Sequence, residues 1–345
     1  MSSLLSRGQA AEILAIRSEF ENLRRVARPL DGLVRELLGV SWGRARDLVS
    51  RGKISVDGVV VTDHRRLVAD GASVAFDVAA RRSRDGLADS AIVHVDGHVV
   101  IVDKPSGINT IPFDPGGMGA SLARKSSKGE PPALSELVAR WLARHDKAAG
   151  RGSHGPVTVG VVHRIDKETS GLVVFTRSWL AKKELTAAFR AHTVHRRYLA
   201  LVRGSARSAT HSTHLVPDRG DGLRGSVEKR GGRARAVGSE KTQLAVTHVE
   251  VLERFDDASL VACTLETGRT HQIRVHLSEA GNPLLGERVY ARGFPKEATP
   301  ARRLMLHAAE LGFVHPATGE EVRWEREPPA DFADILARLR AEPKA

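Results

Sequence analysis

Short apolar runs separated by turn residues dominate the chain, and helical periodicity appears between them. Residues 92–95 (Ile-Val-His-Val) and 99–102 (Val-Val-Ile-Val) flank Asp96-Gly97-His98, which predicts two strands joined by a tight turn. Residues 157–162 and 172–175 are rich in Val and read as buried strands. Residues 194–204 predict a further strand, and 241–252 with 259–266 alternate as an antiparallel pair around a loop at 253–258. Apolar spacing predicts helices at 134–145, 181–192 and 330–339. Another is expected to start at Thr270, as its cap, and to close near Gly281.

The first part of the chain has a different rhythm. Ile13, Ile16, Phe20 and Leu23 fall on one face of a leader helix within residues 1–27. Leu30, Val34, Leu37 and Leu38 make a second helical face. Ser41 is a good cap for a helix over 42–51, ended by Gly52. Residues 53–56 and 59–62, on either side of Asp57-Gly58, read as a hairpin. The patterns divide the chain into a leader (1–27), a small α+β unit (28–76), a charged linker without periodicity (77–91) and a large α+β domain (92–340).

Composition narrows the partners. Across 345 residues, Lys and Arg outnumber Asp and Glu by 53 to 41, a net charge of +12. A surplus that large favours a polyanion such as nucleic acid. The lone cysteine, Cys263, excludes an internal disulfide and a thiolate metal cluster, which suits a reducing cytoplasm. No run approaches the ~20 apolar residues of a membrane span. Gly150 to Gly155 matches Gly-x-Gly-x-x-Gly, but it follows a predicted helix and none opens after it; residues 119–126 lack the second Gly of a phosphate loop. No nucleotide cofactor is expected. His271 and His276 are five apart with no carboxylate beside them, so no metal site is expected. A cytoplasmic monomer without cofactor is the expectation.

The strongest candidate for chemistry lies between the strands of 157–162 and 172–175. His163-Arg164-Ile165-Asp166-Lys167-Glu168-Thr169-Ser170-Gly171 is a polar loop that sets one carboxylate, Asp166, at the edge of a core. The residues alone leave two readings open, a catalytic carboxylate or a turn Asp that caps its own backbone.

That loop resembles the signature of the RluA-type pseudouridine synthases, His-Arg-Leu-Asp-x-x-Thr-Ser-Gly, with Ile165 in place of Leu. Further segments are similar to the same family: Lys104-Pro105-Ser106-Gly107, the run from Arg197-Tyr198 to Gly204, and Thr267-Gly268-Arg269-Thr270-His271-Gln272-Ile273-Arg274-Val275-His276-Leu277. Asn282 to Tyr290 and Arg303 to Ala308 also match, though Glu287 stands where the family usually has Asp, which bears on a local contact. Residues 28–76 resemble an S4 RNA-binding module, of the branch that acts on large-subunit ribosomal RNA.

The resemblance implies a fold, an activity and a site. The fold is α+β: a mixed, mainly antiparallel sheet with a central cleft flanked by helices, preceded by a small S4-like domain. The activity is isomerisation of uridine to pseudouridine in RNA by a flipped base. It implies that Asp166 is the nucleophile, that a bidentate Arg274 keeps it ionised, and that Tyr198 stacks on the base. Ile165 and Leu306 are the implied apolar walls. Arg164, Lys104 and Arg269 would meet RNA at the cleft, and Arg44, Arg46, Arg51 and Lys53 would meet it on the S4-like module. Residues 205–238 would add a basic loop that tracks phosphates. Ribosomal RNA is the expected substrate and transfer RNA the runner-up. Two other classes compete: a non-catalytic RNA-binding assembly factor, and a hydrolase that would release free uracil.

Overall fold

The computed structural model describes residues 28–50, 52–56, 59–61, 64, 66–68, 71–77, 87–112, 126, 131–150, 157–219, 222–227, 242–295 and 297–341. The leader, the Asp57-Gly58 turn, Arg51, the glycine run at 151–156 and the basic stretch at 228–241 lie outside the described residues. The chain divides into two units between Gly86 and Leu87.

In the first unit, strand β1 (Arg28–Pro29) leads into helix α1 (Leu30–Leu38), which Gly39 ends in a left-handed conformation. Helix α2 (Trp42–Ser50) follows, with the Ser41 Oγ accepting from the Arg44 N–H at 3.3 Å. Strand β2 (Ile54–Val56) pairs on one side with β3 (Val59–Val60), as the hairpin pattern predicts, and on the other with β5 (Val74–Phe76). Strand β4 (Leu67–Val68) pairs with β1. Leu30, Val34, Ala45, Leu48, Val49, Ile54, Val56, Val61 and Val68 form the core.

The second unit is one large sheet. Strands β6 (Ile92–Val95) and β7 (Val99–Lys104) form the predicted hairpin, whose turn is held by Asp96 accepting from the N–H groups of His98 and Val99. Helix α3 (Leu134–Ala148) is one turn longer than its apolar stripe predicts. Strand β8 is only Gly160–Val161, shorter than the predicted 157–162. The reason is local: beyond Val161 the N–H of Val174 donates to the His163 ring at 3.0 Å, so a side chain takes over from the ladder.

Strand β9 (Ser170–Thr176) is buried along its whole length. Helix α4 (Trp179–Arg190) starts two residues before its predicted position, because the Ser178 Oγ caps it by accepting from the Ala181 N–H. There follow β10 (His195–Arg203), β11 (Ala209–Val216), β12 (Gly225–Ser226), β13 (Gln243–Arg254) and β14 (Ala258–Leu265). Helix α5 (Gln272–Glu279), β15 (Leu306–Val314), β16 (Glu321–Glu325) and helix α6 (Ala330–Ala341) complete the unit.

The strand order is β12-β11-β13-β14-β10-β15-β9-β7-β6, with β16 beside β15 and β8 beside β9. Every pair is antiparallel except β15 and β9, which run parallel. Strand β15 therefore lies between β10 and β9 and joins the two halves of the sheet.

The continuous apolar runs of β7 and β9 follow from burial on both faces. Val100, Val102, Val173 and Phe175 face α3 through Leu134, Val138 and Leu142. Val99, Ile101, Leu172 and Val174 face α4 through Ala181 and Leu185. Farther along, Phe332, Ile335 and Leu339 of α6 pack with Leu201, Leu260 and Met305. The architecture is α+β with a mainly antiparallel sheet, as expected.

Candidate active site

The loop between β8 and β9 is built by its own backbone and by the turn after β7. Thr169 N–H closes on the Asp166 carbonyl at 3.1 Å. The Thr110 hydroxyl donates to the Ile165 carbonyl at 2.8 Å and accepts from its N–H at 3.3 Å. Ser106 donates to the Glu168 carbonyl at 2.7 Å, and Gly107 N–H to the Lys167 carbonyl at 2.8 Å. The Lys-Pro-Ser-Gly turn is thus a brace for the Asp166 loop.

Lys104 is the centre of that brace, and here the structure corrects the sequence reading. Its side chain is fully buried, so it has no surface to offer RNA. Its Nζ donates to the carbonyls of Pro105, Ile108 and Lys167 at 3.0–3.1 Å. Burial pushes the amine down to about 7, with Asp166 pulling it back up. Three carbonyl acceptors match the three N–H bonds of an ammonium, so the geometry fits the charged form. The signal was present in the sequence: period two along the 99–104 run puts Lys104 on the same side as the core residues Val100 and Val102.

The closing residues of the loop motif fix its second end. Ser170 and Gly171 pair in parallel with His307 and Ala308 of β15. Ser170 Oγ bonds to His307 Nδ1 at 3.0 Å, and His307 Nε2 to the Arg326 carbonyl at 3.0 Å. Gly171 has φ +108°, and a Cβ there would lie 2.2 Å from the Ala308 carbonyl oxygen. Only glycine allows this approach.

Opposite the loop stands α5. Its predicted cap is a second correction: no side chain caps through Thr270, and His271 occupies the N-cap with φ 60° and ψ 17°. Thr270 instead accepts from Arg164 Nη2 at 3.3 Å. The start of the helix is tied by Gln272, whose Oε1 accepts from Arg269 N–H at 3.0 Å and from Thr267 Oγ1 at 2.7 Å. Its Nε2 donates to Val246 O and Thr247 Oγ1 of β13, both at 2.9 Å. His276, one turn on, bonds through Nδ1 to Thr247 Oγ1 and through Nε2 to Thr213 Oγ1.

Arg274 projects from this anchored helix. Its Nη1 lies 3.4 Å from Asp166 Oδ2, so the expected pair forms, but by a single contact. The bidentate partner is Glu287, with Nε to Oε2 at 2.8 Å and Nη2 to Oε1 at 2.9 Å. Burial opposes the guanidinium charge, yet the Glu287 hydrogen bonds and charge hold Arg274 above its ordinary range. The same pairing holds Glu287 below its own, against burial. Glu287 Oε1 also accepts from the N–H groups of Val289 and Tyr290. The carboxylate read as a local contact is therefore the anchor of the site.

Two aromatic rings sit beside this network. The Arg274 guanidinium lies 5.2 Å from the centre of the Tyr290 ring, and the Tyr290 hydroxyl is 2.7 Å from His271 Nδ1. His271 Nε2 is 3.9 Å from Asp166 Oδ2. Tyr198 lies on β10 opposite Ala308, where β15 carries a bulge. Burial raises its hydroxyl pKa, Arg196 works the other way, and Asp166 adds to the rise. Tyr198, Ile165 and Leu306 belong to one apolar cluster.

The remaining candidates are dispersed. Arg164 is exposed, and Arg269 spends its Nε on the Leu244 carbonyl at 3.0 Å. In the first unit Arg44 pairs with Asp47, and Arg46 places its Nε 2.9 Å from the buried Asp31. Lys53 is half-buried, and Arg51 lies outside the described residues.

A half-buried carboxylate aimed at by a buried, doubly anchored guanidinium and set against an apolar cluster can serve several kinds of reaction. Comparison with known proteins says which. The RNA pseudouridylate synthase family model matches residues 98–279. The chain belongs to that family, in its RluA-type branch, and is an isomerase that converts uridine to pseudouridine in RNA. It is 33% identical over 326 residues, 91% of this chain and 93% of the relative, to "Ribosomal large subunit pseudouridine synthase D" of Zymomonas mobilis. It is 34% identical over 306 residues, 87% of this chain and 90% of the relative, to "Uncharacterized RNA pseudouridine synthase YlyB" of Bacillus subtilis. Among solved structures, "Human RNA Pseudouridylate Synthase Domain Containing 4" superposes with a TM-score of 0.53 at 23% identity. That match covers 73% of this chain and 93% of the other, and it supports the fold.

Proposed function

We propose that this enzyme isomerises uridines of large-subunit ribosomal RNA, with Asp166 as the nucleophile and the target base flipped out of its stack. The observation that carries the role of Asp166 is Arg274: buried, pinned by Glu287 and directed at Oδ2. A cation held that way keeps the carboxylate oriented without moving during the reaction. The apolar cluster of Tyr198, Ile165 and Leu306 supplies a dry surface for the extruded base, with the Tyr198 ring against its face. Ribosomal RNA as substrate is supported by the ribosomal large subunit pseudouridine synthases that align with most of the chain.

The small first unit, with exposed Arg44 and half-exposed Arg46, acts as an S4-like RNA-binding module, and the net charge of +12 supports a polyanionic partner. No described helix is long and apolar enough to cross a membrane.

The test is a map of pseudouridine in ribosomal and transfer RNA from cells with and without the protein. The expected outcome is loss of one or a few sites in large-subunit RNA, restored by the wild-type chain and not by Asp166→Asn. Restoration by Asp166→Asn would overturn the role of Asp166. Loss confined to transfer RNA would overturn the substrate.

A further inference from the structure

Two side chains face one oxygen of Asp166, and one of them, Arg274, is in hydrogen-bond range. Arg274 Nη1 is 3.4 Å and His271 Nε2 3.9 Å from Oδ2. Among the described residues, no hydrogen bond or ion pair reaches Oδ1, and the side chain is about one-quarter exposed. The two oxygens of the carboxylate are therefore not equivalent.

His271 is held in an unusual way. With φ 60° it is one of two described non-glycine residues with left-handed backbone. Such a conformation costs roughly 1–2 kcal/mol for a residue with a Cβ and persists where surrounding contacts enforce it. The contacts here are specific. The Tyr290 hydroxyl sits 2.7 Å from Nδ1, and the two rings meet nearly edge to face at 76°. Tyr290 in turn packs on Arg274, and its backbone N–H is held by Glu287.

Burial raises the Tyr290 hydroxyl to about 12, so it is a neutral phenol able to donate. Burial lowers the His271 pKa, Asp166 opposes this and Arg274 adds to it, which favours the neutral ring with a single N–H. Where the Tyr290 phenol donates to Nδ1, the ring proton sits on Nε2, the nitrogen that faces Asp166.

We propose that His271, locked by Tyr290, is a positioning residue that fixes Oδ2 of Asp166 together with Arg274 and so presents Oδ1 to the nucleotide. The proposal rests on the role of Asp166 given above. It assigns the attacking oxygen, and it explains why a residue with a Cβ occupies a position whose backbone suits glycine.

The experiment uses the full chain, an RNA substrate carrying the site mapped above, and rates at saturating enzyme. His271→Gly and His271→Asn both accept the left-handed backbone. The expected result is a melting temperature within a few degrees of wild type, unchanged RNA affinity, and a saturated rate lower by between about 10- and 100-fold. Tyr290→Phe, which keeps the ring on Arg274, should lower the saturated rate in the same direction by a smaller factor.

A saturated rate within about twofold of wild type in either folded His271 variant overturns the proposal. So does a defect in RNA affinity alone, which would make His271 an RNA contact. If both His271 variants fail to fold, Tyr290→Phe decides, and an unchanged rate there overturns the proposal. Asp166→Asn, run alongside, separates the two readings. Its activity would sink the nucleophile assignment, whereas an inactive Asp166→Asn with normal His271 variants would sink positioning alone.

Discussion

At the scale of single residues, Glu287 carries more of the site than its distance from Asp166 in the chain suggests. It neutralises Arg274 inside the protein, where an unpaired guanidinium is costly. Replacing it with Gln removes the charge and one of the two acceptor oxygens, so the bidentate pair with Arg274 is lost. We expect Glu287→Gln to cost roughly 3–5 kcal/mol of stability, the usual range for breaking a buried ion pair from one side. We also expect turnover to fall by at least about tenfold, because the guanidinium loses the fork that aims it. Thermal unfolding and single-turnover rates would check both. A stable and fully active Gln variant would show that Tyr290 and the helix suffice to hold Arg274.

At the scale of elements, the two glycines that brace the Asp166 loop have different jobs. Gly171 has φ +108°, and a Cβ there would collide with the backbone of Ala308; Gly107 has φ +90°, with nothing within 4 Å. Gly107→Ala should therefore cost only the backbone term, roughly 1–2 kcal/mol. Gly171→Ala should cost more than about 4 kcal/mol, an exceptional loss for a single change, since backbone cannot yield as a side chain does. Melting temperatures of the two variants provide the comparison, and equal losses would contradict the close approach of β9 and β15.

The same elements show what the sequence could and could not convey. The β6–β7 hairpin, the β13–β14 pair, β9, β10 and the six described α-helices were legible, because periodicity and turn residues are local. So was the constellation of Asp166 and Arg274, through its resemblance to a family motif. The partner of Arg274 was not, since it depends on how the segment after α5 folds back onto the helix. The capping of α5 was misread because Thr270 has the right chemistry, while Gln272 reaches both the turn and β13 and leaves Thr270 free to meet Arg164. Strand β8 was overestimated because a run of Val cannot reveal that a His ring will take the next N–H of β9.

At the scale of the whole molecule, buried histidines set the response to acid. Burial lowers His307 to about 4 and His163 to about 3. Their unfolded value is about 6.5. Between that value and their folded values, the unfolded chain binds protons that the native protein excludes, so stability falls as pH falls. The slope approaches about 1.4 kcal/mol per pH unit for each histidine. Melting temperature should thus decline from pH 7 towards pH 4.5. His307→Gln should decline less steeply, because the neutral amide can still donate to the Arg326 carbonyl and accept from Ser170 while it cannot titrate. A wild-type melting temperature that is flat over this range would contradict the neutral, buried state of both rings.

Strand β15 has a consequence for the order of assembly. Among the described residues it is the strand between β10 and β9, and it joins two halves of the sheet that are made much earlier in the chain. Contacts so distant in sequence form slowly and late. During synthesis, β6 to β9 and β10 to β14 can pair within themselves, but the seam against which the Asp166 loop closes does not exist until residues 306–314 have emerged. The Asp166 carboxylate would therefore come into register with its surroundings as one of the last events of folding.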